Sequence, residues 1–170
     1  LYRRALAIWE AALTPDHRHV AEGVNNLAYT YQLQGKLGEA EPLHRRALTI
    51  KERTLGPDHP ATGQSLNNLA VLEVVRQNWA EAADLADRER RGARRFVARE
   101  LPAMPEADQL AFLGAGDYRR SLHIALALGL LRRADPAIAD RSASWVLNGK
   151  SVSHQALAER ALLERDAADP

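Results

Sequence analysis

The chain has 170 residues, 46% of them hydrophobic, with 23 basic against 22 acidic side chains and a formal net charge of +1. It can therefore bury one sizeable core or a short repeat array, and it has no overall field to recruit nucleic acid or an anionic membrane. It contains no cysteine, which excludes disulfides, thiolate metal sites and a cysteine nucleophile within these residues.

The first helical face is marked by Leu1, Ala5, Ile8 and Ala12. The pattern is already under way at Leu1 with no cap before it, which implies a piece of a longer array. Thr14, Pro15 and Asp16 turn the chain, and the next helix carries Val20, Val24, Leu27, Ala28 and Tyr31 until Gly35 closes it at a position suited to positive φ. A third helix from about Leu37 points Ala40, Leu43, Ala47, Ile50 and Thr54 inward, with Pro42 near its first turn, where a missing N–H costs little. Leu55 to His59 form a turn, and Pro60 suits the first position of the following helix with Asp58 or His59 as its cap. Trp79 to about Glu100 is expected to be a longer, more polar helix.

Much of this is said twice. Sliding the sequence by about 42 residues lays Leu6, Ile8 and Glu10 on Leu48, Ile50 and Glu52, then Pro15, Asp16 and His17 on Pro57, Asp58 and His59. Asn25, Asn26, Leu27 and Ala28 likewise fall on Asn67, Asn68, Leu69 and Ala70. Helix, turn and helix, repeated, make an all-α solenoid of antiparallel helix pairs. No run alternates with period two, which excludes a propeller. The small residues Ala28, Ala40 and Ala47 let two helices approach closely.

After Ala82 the pattern departs. Arg88, Glu89 and Arg90 stand where the repeat has Arg46, Ala47 and Leu48, and Gln77 and Asn78 replace the Gln-Gly turn. The array is thus expected over residues 1–100, its last helix leaving the solenoid register. Leu101 to Pro105, with two prolines, marks a boundary, and residues 101–170 read as a helical connector. Within it, Pro105 to Leu113 is a short helix and Tyr118 to Arg133 a helix apolar nearly all round. Asp135 and Pro136 restart the chain as cap and first helical residue. Ala137 to Asp166 is one long helix, with a break at Asn148 and Gly149 as the alternative. The longest apolar run, Leu122 to Leu131, is about half the roughly 20 residues a spanning helix needs. No stretch is laid out as a signal peptide, and a soluble, cytoplasmic protein is expected.

The segments LNNLA, QGK, EAEPLHRRAL and LGPDHPAT resemble the kinesin-light-chain type of tetratricopeptide repeat over about the first half of the chain. The second half, through RRGARRFVARELPAMPEADQLAFL, SLHIALALGLLRR and SWVLNGKSVSHQALAERALLERD, is similar to the helical region that joins such arrays to a caspase-like CHAT domain in bacterial proteins. These resemblances imply a tetratricopeptide solenoid followed by a helical extension, and a protein or peptide partner, including a neighbouring caspase-like domain. Lysine occurs only at Lys36, Lys51 and Lys150, and this arginine preference, with abundant alanine, fits a GC-rich bacterial genome. Without a cysteine, no protease activity can be carried over to any residue here.

Chemistry of the chain's own is not expected, nor is a cofactor. His17 and His59 hold equivalent places in the repeated turn, as capping residues would. His17 and His19 alone make a poor metal site. His44 stands where the repeat signature has an aromatic, His123 falls in the apolar helix, and Ser151, Ser153 and His154 are neighbours in sequence without being a triad. The basic stretch Arg88, Arg90, Arg91, Arg94, Arg95 and Arg99 is the best case for nucleic acid. Yet Asp84, Asp87, Glu89 and Glu100 lie at intrahelical pairing distances from it, and no aromatic stacking platform accompanies it.

The remaining candidate is a binding face. In an array of helix pairs the first helix of each pair lines the concave side. With Leu27, Ala28 and Tyr31 committed to the core, Glu22, Asn25, Asn26, Tyr29 and Gln32 face the groove, and Gln64, Asn67, Asn68, Val71 and Val75 do so in the next repeat. An asparagine amide both donates and accepts, so it can clamp the main chain of an extended peptide. The resemblance implies the same role for asparagine in LNNLA. One asparagine of each pair is expected to bridge successive repeats and the other to meet a ligand, with Asn25 and Asn67 as the ligand contacts. The leading reading is a protein-interaction module. A purely structural spacer or oligomerisation segment is the alternative.

Overall fold

The computed structural model describes residues 2–100, 103–105, 108 and 127–144. Five helices follow in order, α1 (Tyr2–Ala12), α2 (Arg18–Leu33), α3 (Leu37–Leu55), α4 (Pro60–Val75) and α5 (Trp79–Glu100). The chain forms two compact units, residues 1–103 and 104–170. Of the second, residues 127–131 and 136–144 are helical. There the Asp135 carboxylate caps the second helix, accepting from the backbone N–H of Ala137 at 3.1 Å and of Ile138 at 3.4 Å. The expectations for Leu101 and Pro102, most of 105–113, 118–126, Asn148–Gly149 and the remainder of the last helix lie outside the described residues.

Each helix of the first unit packs on the next in sequence, as an up-and-down solenoid requires. The pairs close on small residues: Ala28, Ala40, Ala47, Ala70 and Ala82 are all 0% exposed. Val20, Val24, Leu27 and Ile50 fill the first core and Leu66, Leu69 and Leu72 the second. The helix starts are built identically: Nδ1 of His17 accepts from the His19 N–H at 3.2 Å, and Nδ1 of His59 accepts from the Ala61 N–H at 3.1 Å. The ends of α2 and α4 also match, since the Lys36 N–H reaches the Tyr31 carbonyl and the Asn78 N–H reaches that of Glu73, both at 2.9 Å. This cap needs a left-handed residue between. Gly35 supplies it at φ 73° and Gln77 at φ 61°.

Ion pairs repeat with the same period. Arg46 meets Glu10 and Arg88 meets Glu52; Arg53 meets Asp16 and Arg95 meets Asp58, the last with two nitrogens on the carboxylate. These latches join alternate helices α1, α3 and α5 and the turns that follow them. Arg94 stands at the position of Glu10 and Glu52, so the carboxylate series stops in α5.

Four expectations are corrected. The buried face of α1 carries Leu6, with Trp9 and Leu13 half-buried beside it, whereas Ile8 is 59% exposed and Ala12 is exposed. In α3 the equivalent Ile50 is covered by α2, but among the described residues α1 has no helix before it. Thr54 is exposed, its hydroxyl donating to the Ile50 carbonyl at 2.8 Å. Pro42 lies in the second turn of α3, where its ring removes a donor to the carbonyl of exposed Gly38. Finally, α5 does not leave the register at Ala82. Leu85, Ala86, Arg90, Gly92 and Val97 are buried along it, and Gly92 sits so close to the Pro57 carbonyl that a Cβ would lie 3.2 Å from it. The departure is confined to the small position, where Glu89 is only half-buried.

Three measurements check this account. Gln77→Gly should raise stability by about 1 kcal/mol, the cost of a left-handed non-glycine residue, read as a shift in the urea midpoint at constant slope. In Gly23→Ala the new Cβ would lie 2.8 Å from the Trp9 ring. Overpacking of about 1–3 kcal/mol then outweighs the roughly 1 kcal/mol of helix propensity gained. Gly38→Ala, which meets nothing within 4 Å, should instead be neutral or stabilising. The third check concerns acid. Arg95 beside Asp58 and Arg45 beside Glu41 hold these carboxyls below their ordinary values of 3.8 and 4.5. Their contribution is therefore complete above those ordinary values and is lost as pH falls through the depressed ones. The urea midpoint should drop between about pH 5 and about pH 2, and Asp58→Asn should lower it at neutral pH while flattening that drop.

Candidate functional site

The outer stripes of α2 and α4 correspond residue for residue. Arg18, Glu22, Asn25, Asn26, Tyr29 and Leu33 on α2 stand at the positions of Pro60, Gln64, Asn67, Asn68, Val71 and Val75 on α4. Helical periodicity puts each set in one line. Packing of the opposite faces on α3 and α5 leaves these lines outermost.

At the middle of this face the two helices meet through side chains: Nδ2 of Asn68 donates to Oδ1 of Asn25 at 3.1 Å. The bridge between repeats is thus made by the first asparagine of one pair and the second of the next. Asn25 gives up its oxygen and keeps its Nδ2, while Asn68 keeps its oxygen. Asn26 is exposed and Asn67 half-buried, and the side-chain amides of both make no hydrogen bond among the described residues. Tyr29 is 52% and Val71 36% exposed, and Gln64 is exposed. Gln32 is half-buried and turned toward the interior, its Oε1 3.3 Å from Nε2 of His44.

Behind the face, electrostatics keep the interior neutral where it can be. His44 is 0% exposed, and burial, assisted by the Lys51 charge, pushes its pKa down to about 4. The ring is therefore neutral at ordinary pH and donates to Gln32 from Nε2. Burial also lowers the pKa of Lys51, an effect opposed by the Glu22 carboxylate. Glu22 is itself held below the ordinary carboxylate value by the His19 ring at 3.1 Å and by Arg18 at 3.5 Å. At the far end of α4, Glu73 is 0% exposed and answered by Arg76 at 3.2 Å and Asn78 at 3.0 Å. It takes the place of Tyr31 in the preceding repeat, so a polar network replaces a ring there.

The other candidates are used structurally. His17 and His59 cap helices, with His59 edge-on to Phe96 at 6.1 Å. Among the described residues no group of three His, Cys, Asp or Glu side chains could hold a metal ion, and no helix is long and apolar enough to cross a membrane. Of the α5 arginines, Arg88, Arg91, Arg95 and Arg99 pair with Glu52, Asp87, Asp58 and Glu100, and Arg90 is buried. His123, Ser151, Ser153 and His154 lie outside the described residues. Sequence reasoning missed Leu33, 71% exposed; its signal was the recurrence of an apolar residue, Val75, one repeat later.

The model of the family described as tetratricopeptide repeat matches residues 1–51 and 19–95, together more than half of the chain. No curated protein matches the sequence. Among solved structures, BtubC (BKLC) from P. vanneervenii is similar with a TM-score of 0.66 at 21% identity, over 91% of this chain and 54% of that one. The present chain therefore spans about half the length of BtubC. A kinesin light chain-type protein of Podosopora anserina with nearly identical TPR-like repeats is similar with a TM-score of 0.50 at 19% identity, over 98% of this chain and 82% of that one. A point variant of that protein gives the same values. At these identities the likeness is one of fold alone; repeats of the tetratricopeptide family generally mediate protein–protein interaction. With repeated helix pairs, matching caps and a family model running from residue 1 to residue 95, the chain belongs to the tetratricopeptide-repeat family.

Proposed function

We propose that the chain is a non-enzymatic protein-interaction module that holds a segment of a protein partner on the α2/α4 face. The observation that carries this reading is the row of four asparagines at equivalent places on the two helices, two of them bonded to each other and two uncommitted among the described residues. The packing of α3 against α2 and α4 sets the spacing of these helices and the Asn25–Asn68 bond of 3.1 Å spans it, so Asn26 and Asn67 are presented from a rigid base and need little ordering on binding. Each offers a donor and an acceptor to main-chain groups. Tyr29, Gln64 and Val71 flank them. Gln32, held by His44, contributes at the rim.

The module is the repeat and connector part of a larger bacterial CHAT-type protein working in the cytoplasm. Its partner is either a separate protein or the caspase-like domain of the same chain. The order of the sequence resemblances supports this context, and the pairing of the α5 arginines with carboxylates speaks against nucleic acid. A spacer or oligomerisation role has one observation in its favour: Asn25 and Asn68 already serve the array itself.

The test is affinity capture from cells that express the protein, comparing the natural chain with Asn26→Ala/Asn67→Ala. Losing the hydrogen bonds of two amides, at about 1 kcal/mol each, should weaken a captured partner by roughly 10- to 30-fold. Intact capture would overturn the assignment of the face. In light scattering, a stable dimer that these two substitutions dissociate would favour the oligomerisation role.

A further inference from the structure

His44 burdens the fold in a way that an apolar ring would not. It is 0% exposed, its Nε2 lies 3.3 Å from Oε1 of Gln32, and its Nδ1 has no hydrogen-bond partner among the described residues. Burial and the Lys51 charge keep the ring neutral, and a neutral imidazole carries a single N–H. With a carboxamide oxygen as the neighbour of Nε2, the proton sits there. Nδ1 is then a buried acceptor left bare, which is destabilising. A phenyl ring of similar volume would fill the place without an unpaired nitrogen.

The next repeat shows that the solenoid does not require this pair. Val74 and Ala86 hold the positions of Gln32 and His44 there, and the buried position is served by a methyl group, Ala86 being 5% exposed. The histidine and the glutamine occur together in one repeat and are both absent from the other. A packing rule broken at a buried position is expected where function needs it. What the bond does is fix a side chain of the binding face. Asn25 and Gln32 are seven residues apart on α2, two turns along one side of the helix. The Asn25 oxygen accepts from Asn68 at 3.1 Å and the Gln32 oxygen from His44 at 3.3 Å. Both carboxamides are therefore held by their oxygens, and their amino groups, with two N–H donors each, remain. Nε2 of the half-buried Gln32 makes no hydrogen bond among the described residues. Without His44 the Gln32 side chain would regain its rotamer freedom and could turn either end of the amide outward.

We propose that His44 is a positioning residue for the α2/α4 face: it holds the Gln32 carboxamide by its oxygen, so that this point of the face offers N–H donors and selects a partner group that accepts, a carbonyl or carboxylate oxygen. The proposal rests on the reading of the α2/α4 face as the binding face.

Long-range proton–nitrogen NMR correlation on the 170-residue chain should find the His44 proton on Nε2 and Nδ1 bare. A proton on Nδ1 overturns the proposal, because Gln32 would then have to turn its amino group inward. In His44→Phe the urea midpoint should hold or rise, while the order parameter of the Gln32 side-chain amino group, high in the natural chain, should fall to that of exposed Gln34. A lower midpoint, or a Gln32 amide equally ordered in both chains, reduces His44 to a packing residue and overturns the proposal. Binding is read by immobilising the natural chain and its variants and passing over them a soluble extract of cells that express the protein. His44→Phe should retain the captured partner roughly fivefold less well. Gln32→Glu, which keeps an oxygen on His44 but replaces the outward donors by an acceptor, should retain it about tenfold less well or worse; undiminished retention by Gln32→Glu overturns the donor assignment. If Asn26→Ala/Asn67→Ala releases the partner while His44→Phe and Gln32→Glu do not, the binding face stands and the role of His44 falls. If none of these variants releases it, or the natural chain retains nothing, both readings fall together.

Discussion

The structure depends on close approach of helices at alanine. Ala28, Ala40 and Ala47 in one pair, and Ala70 and Ala82 in the next, are 0% exposed. A larger side chain at such a point would push the helices apart and open gaps along their length, at a cost of a few kcal/mol. With the contacts closed, Val20, Val24 and Leu27 on one side and Leu66, Leu69 and Leu72 on the other fill the space above and below. Burial of these residues supplies the stability. Glu89 at the third small position of the second pair marks where that rule is relaxed.

The ion pairs do a different job. Exposed pairs are worth about 0–1 kcal/mol each, so the latches from Arg46 to Glu10 and from Arg88 to Glu52 add little to stability beside the core. What they do is repeat. Together with Arg53–Asp16 and Arg95–Asp58 they tie each second helix of a pair to its predecessor at two points, which resists sliding along the axis. The Asn25–Asn68 bond makes the corresponding tie on the opposite side, between the first helices. With ties on both sides, the outer stripes of α2 and α4 stay in register, and the zones of amide and apolar side chain line up across them.

That alignment is why a function is sought on this face rather than in the interior. The buried titratable groups are either neutral, as His44 is, or answered by a neighbour, as Glu73 is by Arg76 and Asn78. The histidines of the turns serve the backbone as caps. The α2/α4 face, by contrast, holds amide groups that have no partner among the described residues, and apolar side chains that recur in successive repeats. It is a surface suited to recognition.

Much of the fold was legible in the sequence because each repeat states its own helix boundaries. Pro60 and the two capping histidines mark starts, Gly35 marks an end, and the offset of about 42 residues shows that the pattern is used again. The all-α solenoid and the set of residues on the outer stripes follow from these local signals. Periodicity places a residue on a face, but it does not say what covers that face. Ile8 therefore read as core although no described helix lies over it, and Leu33 went unnoticed although it is exposed. Likewise, Gln77 in the sequence looks like the loss of a turn glycine, yet the helix packing around it imposes the left-handed conformation all the same. Sequence offered the asparagine pairs two roles, one bridging and one meeting a ligand, with Asn25 in the second, whereas Asn25 makes the bridge to Asn68. Which atoms bridge depends on the distance between α2 and α4, which only the packing of α3 between its neighbours decides.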